Sequence, residues 1–166
     1  MLKRSLKFLH VLSAIGFAGG LTAYMLILAN SPDVAAAADY AALRSALALV
    51  AKWMIVPSMI VGVCSGLLAM AFHFPFHDEP WVWAKALSGV LIFEASLMSV
   101  DAPAQRAAEA TAKAVDGEID AATLASMISD EWVALWVILI LAAANVLLAI
   151  WRPHVRFGAK PDTGSE

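Results

Sequence analysis

LKFLHVLSAIGFAGGLTAYMLILA, residues 6–29, is apolar over the length that crosses a bilayer and carries one imidazole, that of His10, about a turn inside its start. Three basic residues flank its beginning: Lys3, Arg4 and Lys7. The stretch predicts a membrane helix with a polar group near one end. The role of His10 is therefore the first functional question.

The composition of the whole chain points the same way. Of its 166 residues, 61% are hydrophobic, which is more than soluble domains carry. The net charge of −3 is too small to indicate a nucleic-acid partner. The single cysteine, Cys64, excludes a disulfide framework, a thiolate zinc site and a CxxCH haem attachment.

Four segments reach the length of about 20 residues that a membrane span requires. The predicted fold is an all-α integral membrane four-helix bundle, one domain over residues 1–166 with a frayed tail at 154–166. The expected spans lie at about 8–29, 46–72, 81–100 and 132–151.

Capping residues and prolines suggest finer features. Ser31 followed by Pro32 predicts a capped helix start ahead of the second span, and Pro57 predicts a kink within it. Residues 101–131 predict one or two short helices on the membrane surface. Ser129 or Asp130 is expected to cap the fourth span.

Charge near the span ends predicts the orientation. Residues 101–131 contain two basic residues against seven acidic ones, whereas both terminal segments are basic. Lysine and arginine concentrate on the cytoplasmic side, so both termini are expected there. Residues 101–131 then form a short helical periplasmic loop.

The histidines and glycines allow two interpretations. His10, His73 and Lys85 are expected near the same membrane face, beside the glycine pairs Gly16/Gly20 and Gly62/Gly66. In the first, small residues permit close helix packing and the histidines are interfacial. In the second, the glycines make room for a flat cofactor whose metal an imidazole binds, with His10 and His73 as ligands.

Other polar residues within the spans each need an explanation. Glu94 is expected near the bilayer midplane, facing into the bundle, where it forms an interhelical hydrogen bond or serves as a proton relay or substrate anchor. Asn145 predicts an interhelical hydrogen bond. Arg44 and Lys52 are interpreted as interfacial anchors. No nucleophile–base pair, phosphate loop or HExxH motif is present.

The first helix resembles that of the HemJ-type protoporphyrinogen oxidases and their uncharacterised four-helix bacterial relatives. The matching residues are Leu6, Lys7, Leu9, His10 and Gly19 or Gly20. Further similar features are Leu43-Arg44, Pro57 with a following glycine, Trp83 two residues before Lys85, and the closing Arg152-Pro153. CopD-type copper-resistance membrane proteins share the His-then-Gly-Gly pattern of the first helix.

The resemblance implies a haem b protein of the bacterial inner membrane, with His10 as an axial ligand and Lys85 as a site residue. The implied reaction is oxidation of protoporphyrinogen IX, with electrons passed to the respiratory chain. Two features depart from the family pattern. Glu94 and Ser96 lie where the family has a late histidine, and Ser129-Asp130-Glu131-Trp132 replaces its Asn-Glu-x-Pro.

The sequence thus predicts a haem b-binding membrane redox protein, active in electron transfer or protoporphyrinogen oxidation with a quinone or porphyrin as partner. Candidate catalytic residues are Lys85 and Glu94. Candidate cofactor-binding residues are His10, Gly16, Gly20, Gly62, Gly66, His73 and Lys85. The alternatives are a copper or small-solute transporter, and a structural or assembly subunit that forms a homo-oligomer or joins a larger membrane complex.

Overall fold

The computed structural model describes residues 2–72, 80–127 and 131–151, and within these ranges every regular element is helical. The all-α prediction is confirmed for this part of the chain. The predicted cap at Ser129 or Asp130 and the tail lie outside it.

The first helix, α1 (Leu2–Ala29), ends just before the Ser31-Pro32 pair. A residue that precedes proline disfavours the α region, which explains the end of the helix. The prediction that Ser31 caps the next helix is wrong. That helix, α2 (Ala37–Val50), begins five residues after Pro32, and its N-cap, Ala36, provides no side-chain hydrogen bond.

Two long helices dominate the middle of the chain. In the first, α2 continues through a π-helical turn (Ala51–Ile55) into α3 (Val56–Ala71), as one apolar helix of 35 residues. A helix of that length spans about 52 Å, whereas a bilayer core measures about 30 Å. Part of it therefore extends beyond the thickness of a membrane.

The second long helix differs from the prediction. Here α4 (Pro80–Ser96) continues through another π-helical turn (Leu97–Asp101) into α5 (Ala102–Val115). Residues 102–115 therefore extend α4 and pack against α2, instead of forming a separate surface helix. The helix ends where Gly117 adopts a positive φ of 76°, a conformation that favours glycine.

Each π-helical turn ends two residues before a proline, Pro57 or Pro103. Proline has no N–H, and its ring collides with the carbonyl one turn earlier. A widened turn relieves that collision, so both helices continue past their prolines. At Pro57, where the sequence predicts a kink, the helix continues through a π-helical turn.

Two shorter elements complete the described chain, α6 (Ala121–Met127) and the apolar α7 (Trp132–Trp151). The Asp120 carboxylate accepts a hydrogen bond from the backbone N–H of Thr123 at the start of α6. A small core joins α6 to the long helices: Tyr40, Ala110 and Leu124.

The apolar helices pack side by side. α1 packs against α3, α3 against α4 and α4 against α7, and α1 also touches α7. In the described part of the chain, three helices are long and apolar enough to cross a membrane, within residues 4–29, 37–71 and 82–115, and a shorter apolar helix covers 132–148. Large apolar side chains on their outer faces are exposed, as expected of surfaces that contact lipid.

Candidate functional site

The helix bundle has two ends with different polar groups. We call the end that holds the beginnings of α1 and α4 the proximal end, and the end that holds α2 and α5 the distal end. His10, Lys85 and Asn145 lie toward the proximal end. Arg44 and Glu131 lie at the distal end.

His10 is half-buried and lies directly against α3. Its Nδ1 is 3.0 Å from the carbonyl oxygen of Gly62 and 3.4 Å from Oγ of Ser65. The Ser65 hydroxyl donates to the same carbonyl. Since a carbonyl only accepts, Nδ1 is the donor in its contact with Gly62, and Nε2 is the ring nitrogen that bonds no described residue.

The glycines predicted to make room for a cofactor are filled by neighbouring side chains. A Cβ on Gly16 would lie 2.5 Å from Oγ of Ser58, and one on Gly62 would lie 2.9 Å from Oγ of Ser13. A Cβ on Gly66 would lie 3.3 Å from Cε1 of His10 itself. On this face the close-packing interpretation accounts for the glycines.

Gly20 continues the same contact deeper in the bundle. A Cβ there would lie 3.0 Å from Cγ1 of Ile55 and 3.1 Å from Cγ of Met54. The glycines of α1 thus let the helix approach the second helix of the chain along much of its length.

A shallow apolar groove of about 340 Å³ opens on the outside of the α1–α3 pair. The Ser13 hydroxyl in its lining donates to the His10 carbonyl. The remaining lining is mostly apolar: Leu9, Leu12, Ile15, Gly16, Pro57, Ser58 and Val61. The groove is suited to an acyl chain of the surrounding lipid.

A second polar pair joins α4 to α7 at the proximal end. The side-chain N–H of Asn145 donates to Oγ of Ser88 at 2.9 Å, which confirms the predicted interhelical hydrogen bond. Lys85 is half-buried one turn earlier on α4, and its carbonyl accepts from the Ser88 hydroxyl. His73 lies outside the described residues, so its role as second ligand stays a prediction.

Glu94 is exposed, so the prediction that it faces into the bundle is wrong. Thr22 and Tyr24 lie late in α1 and bond elsewhere: the Thr22 hydroxyl donates to the Ala18 carbonyl of its own helix, and the Tyr24 hydroxyl donates to Glu131.

The distal end contains a buried ion pair, Arg44–Glu131. Arg44 Nη1 lies 2.8 Å from Glu131 Oε1, and both residues are only 4% exposed. The hydroxyl of Tyr24, which is fully buried, donates to the other carboxylate oxygen. Arg44 Nε and Nη2 donate to the Tyr40 hydroxyl at 3.0 and 2.8 Å.

This cluster ties α1, α2 and the start of α7 together. Every polar atom in it that faces the interior has a partner, and no buried side-chain nitrogen or oxygen in the described chain lacks one. The interpretation of Arg44 as an interfacial anchor is therefore wrong, whereas Lys52 is exposed as expected, with its Nζ 6.0 Å from the centre of the Trp53 ring.

The sequence contained one signal for this pair. Arg44 and Glu131 have opposite charges and border long apolar stretches, so each needs a partner if it is buried. They lie 87 residues apart, and the prediction placed Glu131 in an exposed loop. Their pairing depends on helix packing that local pattern does not determine.

Within the described ranges, no three histidine, cysteine, aspartate or glutamate side chains come together as a metal-binding group. No family model matches the chain, and neither the curated proteins nor the solved structures include a significant match.

Proposed function

We propose that this chain is a four-span redox protein of the bacterial inner membrane that binds haem b at its proximal end through His10. The observation that carries the proposal is the hydrogen bond between His10 Nδ1 and the Gly62 carbonyl. Histidines that ligate metals commonly donate their other ring N–H to a backbone carbonyl, which fixes the tautomer and the ring orientation.

The donor chemistry at His10 fits a haem iron, because a neutral imidazole with a free Nε2 is a common axial ligand. The glycines do not act as a cradle, since neighbouring side chains occupy the space beside them. The proposal therefore rests on the imidazole and its orientation against Gly62 and Gly66.

The candidate site residues have different proposed roles. His10 would hold the iron, His73 is the candidate second ligand, and Lys85 is the site residue that the family resemblance implies. Bound haem would supply a one-electron carrier. The proposed role is electron transfer or protoporphyrinogen oxidation, with a quinone or a porphyrin as the partner molecule. Both termini are proposed to lie in the cytoplasm.

The test is an absorption spectrum of the detergent-purified protein, reconstituted with haem and recorded oxidised and reduced. We expect a Soret band and reduced b-type bands that His10→Ala abolishes. Thr22→Ala, an exposed change on the same helix, should leave them intact. A second loss in His73→Ala would identify two imidazole ligands.

Gly66→Ala sharpens this test. The added methyl would lie 3.3 Å from the His10 ring, so it should shift the bands without removing them. A colourless wild-type protein after haem is supplied would refute the proposal.

A second function is favoured by the exposure of Glu94 in the middle of an apolar helix. Such a carboxyl group suits a structural or assembly subunit whose helices pack against other membrane proteins. This function predicts a colourless protein that purifies in complex with other chains. The absorption spectrum of the purified protein therefore distinguishes this function from haem binding.

A further inference from the structure

Glu94 is exposed on α4 although it lies far from both ends of the apolar helix. It is 12 residues beyond Val82, which corresponds to about 18 Å along the axis of a helix. A bilayer core about 30 Å thick therefore places Glu94 near its middle. Charged and polar groups at that depth face protein far more often than lipid.

The neighbours of Glu94 on the same face form a regular apolar stripe. Leu87, Val90, Leu91 and Met98 are all exposed and share this face with Glu94. From Leu87 through Leu91 and Glu94 to Met98 the spacing is four, three and four residues, the pattern with which two helices pack in a left-handed crossing. The described chain thus leaves a complete helix-packing face uncovered.

We propose that this face of α4 binds the same face of α4 in a second copy of the chain, with the two Glu94 carboxyl groups hydrogen-bonded to each other. The inference does not depend on haem binding.

The geometry of a membrane explains why the proposed partner of this α4 face is a second copy of the chain. All copies of a membrane protein share one orientation, so a two-fold axis runs along the membrane normal and brings identical residues to the same depth. Glu94 of one copy then faces Glu94 of the other. A protonated carboxyl group both donates and accepts, so this side chain is complementary to itself.

Lys52 is an exposed cation that could pair with Glu94 of a second copy instead, and the structure disfavours it. The π-helical turn that contains Lys52 packs beside the turn Leu97–Asp101. That level is about 8 Å beyond Glu94 along the helix. To reach Glu94 of a second copy, Lys52 would have to extend toward the bilayer centre, away from the interface that lysine side chains favour.

The first experiment is cysteine cross-linking of the full chain in liposomes of phosphatidylcholine and phosphatidylglycerol. The native exposed thiol is removed by Cys64→Ser. Leu87→Cys on the stripe should form cross-linked dimers. Ile140→Cys on α7, with an exposure of 63% against 62% for Leu87, is the matched control and should not.

The second experiment measures self-association of Glu94 variants in the same membranes. Glu94→Leu should weaken the dimer by roughly 3- to 30-fold, the size of one interhelical hydrogen bond in a membrane. Glu94→Gln keeps both a donor and an acceptor and should retain it, and Lys52→Leu should have no effect. Because Glu94→Leu places an apolar group on an exposed apolar face, the monomer should remain folded, which circular dichroism checks.

Three results would overturn the proposal. The first is a monomeric wild type without cross-linking at Leu87→Cys. The second is a dimer that Glu94→Leu leaves unchanged. The third is a monomer that captures a different membrane protein through Glu94.

Discussion

The two polar groups of the bundle differ in how completely their side chains are paired. At the distal end, Arg44, Glu131 and Tyr24 are buried and use both carboxylate oxygens and all three guanidinium nitrogens. At the proximal end, His10 is half-buried and bonds through Nδ1, while no described residue bonds its Nε2.

This difference separates a structural group from a binding group. A buried cluster whose atoms are all paired has no capacity left for a ligand, and its contribution is to fix three helices relative to one another. An imidazole that is oriented through one nitrogen retains the other for a metal or a proton. The comparison therefore assigns a structural role to the distal end, and it is the basis on which a ligand is proposed at the proximal end.

Arg44→Met should give the largest loss of stability. Removing the guanidinium leaves the Glu131 carboxylate buried without its ion-pair partner, which costs about 3–5 kcal/mol. Unfolding in a denaturing detergent, followed by circular dichroism, measures this loss.

The double variant Arg44→Met with Glu131→Leu is the control. Without either charge, no unpaired ion remains, so much of the loss should be recovered. A double variant less stable than the single one would show that the pair is not the main reason for the loss.

Gly20→Ala tests the helix contact that connects the two ends. Its methyl would lie 3.0 Å from Cγ1 of Ile55, which is almost fully buried and has little room to move. Overpacking of this kind costs about 1–3 kcal/mol. The matched control is Gly89→Ala, whose methyl would meet only Asn145 Nδ2, at 3.9 Å.

Both substitutions share the gain in helix propensity from glycine to alanine, so the difference between their unfolding free energies isolates the packing cost. We expect Gly20→Ala to be the less stable variant. Equal stability would mean that the two helices separate easily at this level.

His10→Ala should have a smaller effect on stability than either change. It removes one hydrogen bond of a half-buried side chain, which is worth about 0.5–1.5 kcal/mol. The same denaturation assay applies. A loss as large as that of Arg44→Met would contradict the comparison, because it would make His10 a structural residue.

The helical class and the apolar segments could be predicted from the sequence because both depend on local composition. α1 and α7 agree with the predicted spans near 8–29 and 132–151. The continuity of α4 with α5 was missed, because residues 101–115 are polar and do not look like part of a membrane span, whereas the structure packs them against α2. Alanine has high helix propensity, which was the available signal.

The site was harder to predict for a physical reason. A glycine pair on a helix permits close packing and cofactor binding equally, and only the neighbouring helix decides between them. The outward direction of Glu94 likewise depends on which face of α4 meets α3 and α7. The hydrogen bond of Asn145 could be predicted, because an amide inside a span needs a partner wherever it points.

The smallest expected effect lies outside the apolar helices, at Asp120. Hydrogen bonds from Thr123 to its carboxylate hold the pKa of Asp120 below its ordinary value. A lowered folded-state pKa stabilises the start of α6 at pH values above the unfolded pKa of about 3.9. This contribution is lost as the pH falls through the folded-state pKa.

Exchange of the Thr123 amide hydrogen with solvent should therefore be slow near neutral pH, after correction for its intrinsic rate, and become faster on acidification. Asp120→Asn accepts the same bond without titrating, so its protection should not depend on pH, while the distal cluster should stay intact in both proteins.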